Sequence, residues 1–372
     1  IDYVILGVIY NEGNSYLFLS IALEMMSIPQ TTFQELENSS EYVGDGKKLS
    51  SKMSENGYLF FKGLIDRRQV EVVRDEAVRI LEENGFLNKN RDDVLQWSGK
   101  DDIDGELSGA GKTGMKIWTL DSLKALSTSR QLISVLEKIV RGKVFAWDFL
   151  ITRIIIPDVG MITASGRTQS GVTPLHQDHF HFHNKNGVIP FYTGWLPLMD
   201  INESVGGLII KKGSHKSGFH KHVYRDGQYM GIPSSEEELQ LWLESGGVVI
   251  SGNDTFEDNG EWLRSDYHLG DVLIFHRLLF HRGIPNLSDK IRISSDFRYQ
   301  KEGTPINWQS KQINLFIQKF RVDVRNQLDK LDIKGEVGDR IFDAILVEGP
   351  SSSKEYNIEG RIMQYLNSLE KE

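Results

Sequence analysis

Between Lys143 and Tyr299 the chain is written in short β-branched and aromatic runs separated by Gly, Pro and Asn, and this stretch limits the fold more than any other. The runs are Val144–Ile156, Tyr192–Met199, Gly207–Ile210, Gly247–Ile250, Asp271–Phe275 and Ile291–Tyr299. Short strands punctuated in this way predict a mainly β domain, a double-stranded β-helix (jelly roll) of the cupin-like type, with flanking helices. One helix is expected after Asp66, which can cap it, with Val70, Val73, Ala77, Ile80 and Leu81 as its apolar stripe. A second is expected over Thr128–Val140, and the spacing of Ile313, Phe316, Ile317 and Phe320, then Ile341, Ile345, Ile362, Tyr365 and Leu369, predicts helices after Gln300.

These patterns divide the 372 residues into three parts. Residues 1–56 read as an N-terminal extension that ends in a polar connection from Gly44 to Ser54. Residues 57–300 read as one catalytic domain, opened by a strand over Gly57–Gly63 and carrying a lid-like insertion around 219–246 with its own helix, Ser235–Glu244. Residues 301–372 read as a helical extension packed on the same domain. The stretch Asn88–Lys116 reads as a surface loop. It contains Gly-Ala-Gly-Lys-Thr-Gly114, but Glu106 stands where a phosphate-binding loop needs glycine and no apolar strand precedes it, so a nucleotide site is disfavoured.

A net charge of −9 without a long basic run argues against nucleic acid or an anionic membrane as the main partner. The chain has no cysteine, which excludes disulfides, thiolate metal sites and cysteine nucleophiles and fits a cytoplasmic protein. The apolar run Ile1–Pro29 is broken by Asn11, Glu12, Asn14 and Glu24 and has no basic leader, so it reads as neither a signal peptide nor a membrane span.

All ten histidines lie between His176 and His281, and four of them fall in Thr173-Pro-Leu-His-Gln-Asp-His-Phe-His-Phe-His183. If this segment is a strand, His176 and Asp178 share a face, followed by Phe180 and Phe182, while His179, His181 and His183 form a competing triplet on the other. A His-x-Asp with one distant histidine makes a 2-His-1-carboxylate set, which leaves positions open on a non-haem iron. His281, opening His-Arg-Gly-Ile-Pro-Asn286, is the candidate third ligand. His276 competes with it but lies inside an apolar strand and reads as a packing residue. His215 reads as part of a turn, and His220, His222 and His268 as surface or lid residues. On the last strand Arg292, Ser294, Asp296 and Arg298 share a face, and a buried cationic face calls for an anionic ligand, which the planar fork of arginine suits.

Taken together, Leu-His-Gln-Asp178, Gly-Gly-Leu-Ile-Ile-Lys-Lys-Gly-Ser-His215, Gly-Asp271, His281 with Asn286, and Arg292 resemble the phytanoyl-CoA dioxygenase family of Fe(II)- and 2-oxoglutarate-dependent oxygenases. The likeness covers residues 57 to 300. It implies that His176, Asp178 and His281 bind iron, that Arg292 grips the distal carboxylate of 2-oxoglutarate, and that Gln177 and Trp195 line the co-substrate pocket. Gly283 departs from the family, where a serine often helps hold the co-substrate, and Ser294 is the substitute considered. Lys211-Lys212 also departs, from a Val-Pro or similar pair. The carboxylate of Asp178 disfavours halogenation.

The implied reaction consumes O2 and 2-oxoglutarate, releases succinate and CO2, and by default hydroxylates an unactivated C–H bond. Desaturation, cyclisation and epoxidation stay open. The substrate is expected to be a small organic metabolite of a specialised biosynthetic pathway rather than a CoA thioester, since the lysines that might meet CoA phosphates (Lys211, Lys212, Lys216, Lys221) are scattered. Arg153, Arg282 and Arg298 are candidates for an acidic group on it. An acyl-CoA hydroxylase and a non-oxygenase cupin-like metal-binding module are the alternatives, and the assembly is read as a monomer or homodimer.

Overall fold

The structure is a computed structural model that describes residues 33–90, 93–102, 106–107, 112–147, 150–158, 172–179, 190–225, 228–251, 261–304, 324–348 and 358–369. In chain order its strands are β1 (Tyr58–Phe61), β2 (Val144–Ala146), β3 (Ile151–Ile155), β4 (Phe191–Pro197), β5 (Gly207–Lys211), β6 (His222–Arg225), β7 (Gln228–Gly231), β8 (Val248–Ser251), β9 (Trp262–Leu263), β10 (Val272–His276), β11 (His281–Ile284) and β12 (Arg292–Lys301). The helices are α1 (Gly46–Asn56), α2 (Arg67–Glu83), α3 (Lys112–Trp118), α4 (Asp121–Ser127), α5 (Arg130–Val140), α6 (Glu236–Glu244), α7 (Gly335–Glu348) and α8 (Ile358–Leu369).

Two antiparallel sheets form the expected double-stranded β-helix. The larger runs β1-β10-β4-β12-β2 with β3 also on β12, and the smaller runs β11-β5-β9. Backbone bonds from His176 to His281 and from Gly283 to Thr173 add the segment 173–176 to the edge of the smaller sheet. The sheets face one another where Phe275 of β10 meets His281 of β11, their ring centroids 4.6 Å apart. The long strand expected over Val144–Ile156 is two strands: β3 pairs residues 292–296 of β12 and β2 pairs 299–301.

Several expectations for the flanks are corrected. The connection from Gly44 to Ser54 is largely helix α1, capped by the Asp45 carboxylate, and it carries Leu49 and Met53 into the main core. Its polar exposed face hid a Leu-x3-Met pair at helical spacing. Helix α3 likewise occupies the end of the expected loop Asn88–Lys116, where buried Ile117 docks it on the core. The insertion holds the expected helix, α6, with Ser235 as its cap. It also holds a three-stranded sheet, β7-β6-β8, packed through Val223, Leu239 and Trp242. Helices α7 and α8 bury an apolar cluster of their own, with α7 lying against α3. The stripe Ile313–Phe320, the glycine run Gly109–Gly111, and Phe180 to His183 lie outside the described residues.

The Gly270-Asp271 pair turns the chain into β10. Gly270 has φ +98°, a conformation side chains disfavour, and its carbonyl accepts from Ile65 N–H at 3.0 Å. Asp271 then accepts from the backbone of Gly63 and His268, both at 2.8 Å. A Cβ at position 270 would lie 2.5 Å from the Ile65 carbonyl oxygen, so Gly270→Ala combines a disfavoured φ with a backbone clash. It is expected to cost about 2–5 kcal/mol of stability, read as a lowered midpoint in denaturant unfolding.

Candidate active site

His176 and His281 sit side by side because the two strands that carry them exchange backbone hydrogen bonds at those residues. Their ring centroids are 4.1 Å apart. Each ring donates through Nδ1 to a main-chain carbonyl, His176 to Pro174 and His281 to Leu279, both at 2.9 Å. A carbonyl can only accept, so the ring proton resides on Nδ1 and both Nε2 atoms present lone pairs. Those atoms lie 3.5 and 3.6 Å from Oδ1 of Asp178. The three potential ligand atoms fall within 4.8 Å of one another, in residues 4 % exposed or less.

Asp178 reaches this position from a turn rather than from the expected strand, since regular pairing ends at His176. Its Oδ2 accepts from the Thr193 hydroxyl and from Nη2 of Arg298, the latter at 3.1 Å. Burial pushes the carboxyl up, but the Arg298 guanidinium outweighs it and holds the group well below the usual carboxylate range. Asp178 is therefore ionised. Two lone pairs and a carboxylate oxygen converging out of water repel one another unless a cation lies between them, and two imidazoles with one carboxylate is a donor set suited to non-haem iron.

Arg292, at the start of β12, is buried in the same cavity. Its guanidinium donates to the carbonyl of Ile284 at 3.0 Å and, at 3.4 Å, to those of Val205 and Gly207. Among the described residues no carboxylate pairs with it. Burial, then repulsion from Arg153, pushes it down to about 10. The cavity is lined by His176, His281, Arg292, Trp195, Ser294 and Gly283, with Arg153 and Asp296 at its side. The shared polar face expected of β12 is present, and Asp296 accepts from Arg153 at 3.0 Å.

Other candidates are placed differently. The Gln177 side chain donates to the carbonyls of Gly218 and Leu278 at 2.7 and 2.8 Å and accepts from His220 N–H at 2.9 Å, and the residue does not line the cavity. It ties the insertion to the turn that carries Asp178. Gln177→Leu leaves those backbone groups unsatisfied, and it is expected to cost about 2–4 kcal/mol in denaturant unfolding. Asn286 staples the turn before β12, donating to the carbonyls of Ile155 and Lys290 at 3.1 and 2.6 Å. His276 pairs with Tyr192 across the sheet and points away from the face on which Phe275 meets His281. Burial, then Arg277, pushes His276 down to about 3.

His215 bonds the Ser54 carbonyl from its turn, and His268 is exposed, as expected. The surface reading of His220 and His222 is overturned: both are buried, and His222 accepts from Gln177 N–H at 3.3 Å. His179 is buried against Phe219, while its companions His181 and His183 lie outside the described residues. Sequence reasoning missed Thr193 altogether and placed Arg298 on the polar face of the last strand and as a contact for substrate, not as a partner of Asp178. The signal for both is their register, Thr193 opposite Arg298, which requires knowing that β4 pairs β12.

A family model described as phytanoyl-CoA dioxygenase (PhyH) matches residues 53–294. The chain belongs to the phytanoyl-CoA dioxygenase family. As a member it is an iron- and 2-oxoglutarate-dependent dioxygenase, and the residues just described fit both groups. It is similar to the 1-deoxypentalenic acid 11-β-hydroxylase of Streptomyces exfoliatus, 28 % identical over 294 residues that cover 72 % of this chain and 86 % of the relative. It is also similar to the peroxisomal phytanoyl-CoA dioxygenase of Bos taurus, 22 % identical with 68 % of each chain covered. Among solved structures it is similar to the epimerase SnoN, crystallised with Fe3+, α-ketoglutarate and nogalamycin RO. That match has a TM-score of 0.45 and 17 % identity, and covers 71 % of this dioxygenase and 86 % of the other chain.

Proposed function

We propose that His176, Asp178 and His281 hold the iron, that Arg292 binds the distal carboxylate of 2-oxoglutarate with Trp195 and Ser294 along the wall, and that this dioxygenase hydroxylates a small organic metabolite that is not a CoA thioester. The observation that carries the reading is one cavity holding two imidazoles fixed as acceptors around an ionised carboxylate and, beside them, a buried arginine that no described carboxylate neutralises. Iron bound there supplies the oxidising chemistry, in which O2 and 2-oxoglutarate become succinate, CO2 and the oxygen atom inserted into a C–H bond. The chain orients and shields. The carbonyls of Pro174 and Leu279 fix both ring tautomers, Arg292 sets the depth of the co-substrate, and Trp195, Leu208 and Phe275 supply the apolar part of the wall.

Two observations support a substrate without CoA. The candidate phosphate-binding lysines do not assemble: Lys211 is buried, Lys221 pairs with Glu236 at 3.7 Å, and Lys216 lies by Ser50 and Arg141. The Streptomyces relatives, at 28 and 26 % identity, are named for a free acid. The catalytic unit is read as residues 57–300 with the insertion around 219–246 as its lid, the parts before and after packing on it as a monomer or homodimer. Among the described residues no helix is long and apolar enough to cross a membrane, and the absence of cysteine supports the cytoplasm.

The test has two arms. Anaerobic addition of Fe(II) and 2-oxoglutarate to the folded protein is expected to give a weak visible charge-transfer band, and its absence from iron-loaded protein would overturn the assignment of the site. Succinate release is then expected to rise with free small-molecule acids and not with CoA thioesters; the opposite pattern selects the acyl-CoA reading.

A further inference from the structure

Both oxygens of Asp178 are accounted for, and they face different things. Oδ1 faces the two imidazole Nε2 atoms at 3.5 and 3.6 Å. Oδ2 faces the opposite way, toward the Thr193 hydroxyl and Nη2 of Arg298 at 3.1 Å. These donors come from positions directly opposite one another on β4 and β12, so the larger sheet presents both to a single oxygen. Arg298 is 1 % exposed, and the same Nη2 lies 3.8 Å from Asp296, which in turn accepts from Arg153 at 3.0 Å. A buried arginine is costly unless ion-paired, and this one spends its pairing on a metal-binding carboxylate rather than on a surface group.

We propose that Arg298, with Thr193, is a positioning residue that restricts Asp178 to one-oxygen ligation of the iron. This rests on the triad reading above. A carboxylate binds a metal through one oxygen or two, and turning Asp178 so that Oδ2 also meets the metal breaks the Thr193 bond and the Arg298 ion pair together. The consequence concerns the co-substrate. Three protein ligand atoms leave three positions on a six-coordinate iron, and a chelating 2-oxo acid needs two of them. A second oxygen from Asp178 competes for one of those. The clamp therefore preserves room for 2-oxoglutarate at some cost in raw metal affinity, since the guanidinium also draws charge from the carboxylate.

The test uses the full chain, loaded anaerobically with Fe(II) and titrated with 2-oxoglutarate, alongside Co(II)-loaded protein whose ligand-field spectrum reports coordination number. Wild type must first show the charge-transfer band; if it does not, the triad reading fails and this proposal falls with it. With the band present, Arg298→Gln is expected to need roughly 10–100-fold more 2-oxoglutarate for half-saturation and to alter the Co(II) spectrum before any co-substrate is added. Arg298→Lys, which keeps a charge and one donor, is expected to lie between Arg298→Gln and wild type. Thr193→Val removes the other donor without a change of charge, is expected to move both readouts the same way, and decides the matter if Arg298→Gln does not fold. Half-saturation within twofold of wild type in folded Arg298→Gln, or in Thr193→Val if only that variant folds, would overturn the proposal.

Discussion

His281→Ala is expected to leave a folded protein that no longer forms the 2-oxoglutarate charge-transfer band and whose substrate-dependent succinate release falls by about three orders of magnitude or more. The size follows from the several kcal/mol that a metal centre supplies, at about 1.4 kcal/mol per tenfold. The choice of residue matters for interpretation. Removing the His281 ring takes away one neutral donor and leaves Asp178 with Thr193 and Arg298, so the buried ion pair survives. Asp178→Ala, by contrast, strips Arg298 of its nearer carboxylate, and breaking a buried pair in this way costs about 3–5 kcal/mol. Loss of activity in Asp178→Ala therefore mixes chemistry with stability, whereas His281→Ala isolates the metal. Unfolding measured without metal separates the two: the midpoint of His281→Ala should lie nearer wild type than that of Asp178→Ala. A His281→Ala protein that keeps the band would remove His281 from the ligand set.

Arg292→Met is expected to raise the 2-oxoglutarate concentration for half-saturation by roughly 30- to 4000-fold, the equivalent of about 2–5 kcal/mol for truncating one side of a buried charged contact. Its effect on stability should have the opposite sign. Without ligand, Arg292 is a buried cation that among the described residues meets carbonyls and no carboxylate, and its value is pushed down to about 10 from the ordinary guanidinium value. A lowered value in a basic group means that the folded state disfavours the charged form. The unfolded chain therefore holds the extra proton between those two values, stability from this group rises with pH across that window, and below it the penalty is fully present. Methionine removes the penalty, so the ligand-free variant should unfold at an equal or higher denaturant concentration than wild type. Saturating 2-oxoglutarate should then stabilise wild type, and much less so the variant. A variant both less stable without ligand and unchanged in its need for 2-oxoglutarate would make Arg292 a structural arginine.

The sequence by itself determined the fold class and the chemical elements of the site. Short strands between Gly, Pro and Asn turns specify a jelly roll through local alternation, and α2 and α5 follow from stripes such as Val70, Val73 and Ala77. His176, Asp178, His281 and Arg292 were legible because their residue types and spacing are local properties, and folding placed three of them within one ligand sphere and the fourth in the same cavity. The reason given for His176 and Asp178 converging was nevertheless incomplete, since a turn rather than a strand's pleat brings them together.

Tertiary structure alone decided what surrounds these residues. That Gln177 spends its amide on Gly218, Leu278 and His220 rather than on the cavity depends on where the insertion docks. That His222 is buried, and that α1 contributes Leu49 and Met53 to the core, depends on neighbours distant in sequence. Above all, the second oxygen of Asp178 meets Thr193, 15 residues away, and Arg298, 120 residues away, only because β4 and β12 pair in the register that sets those two opposite each other. Strand register is fixed by the packing of both sheet faces at once, so no local pattern reveals which of several buried arginines will pair with the Asp178 carboxylate.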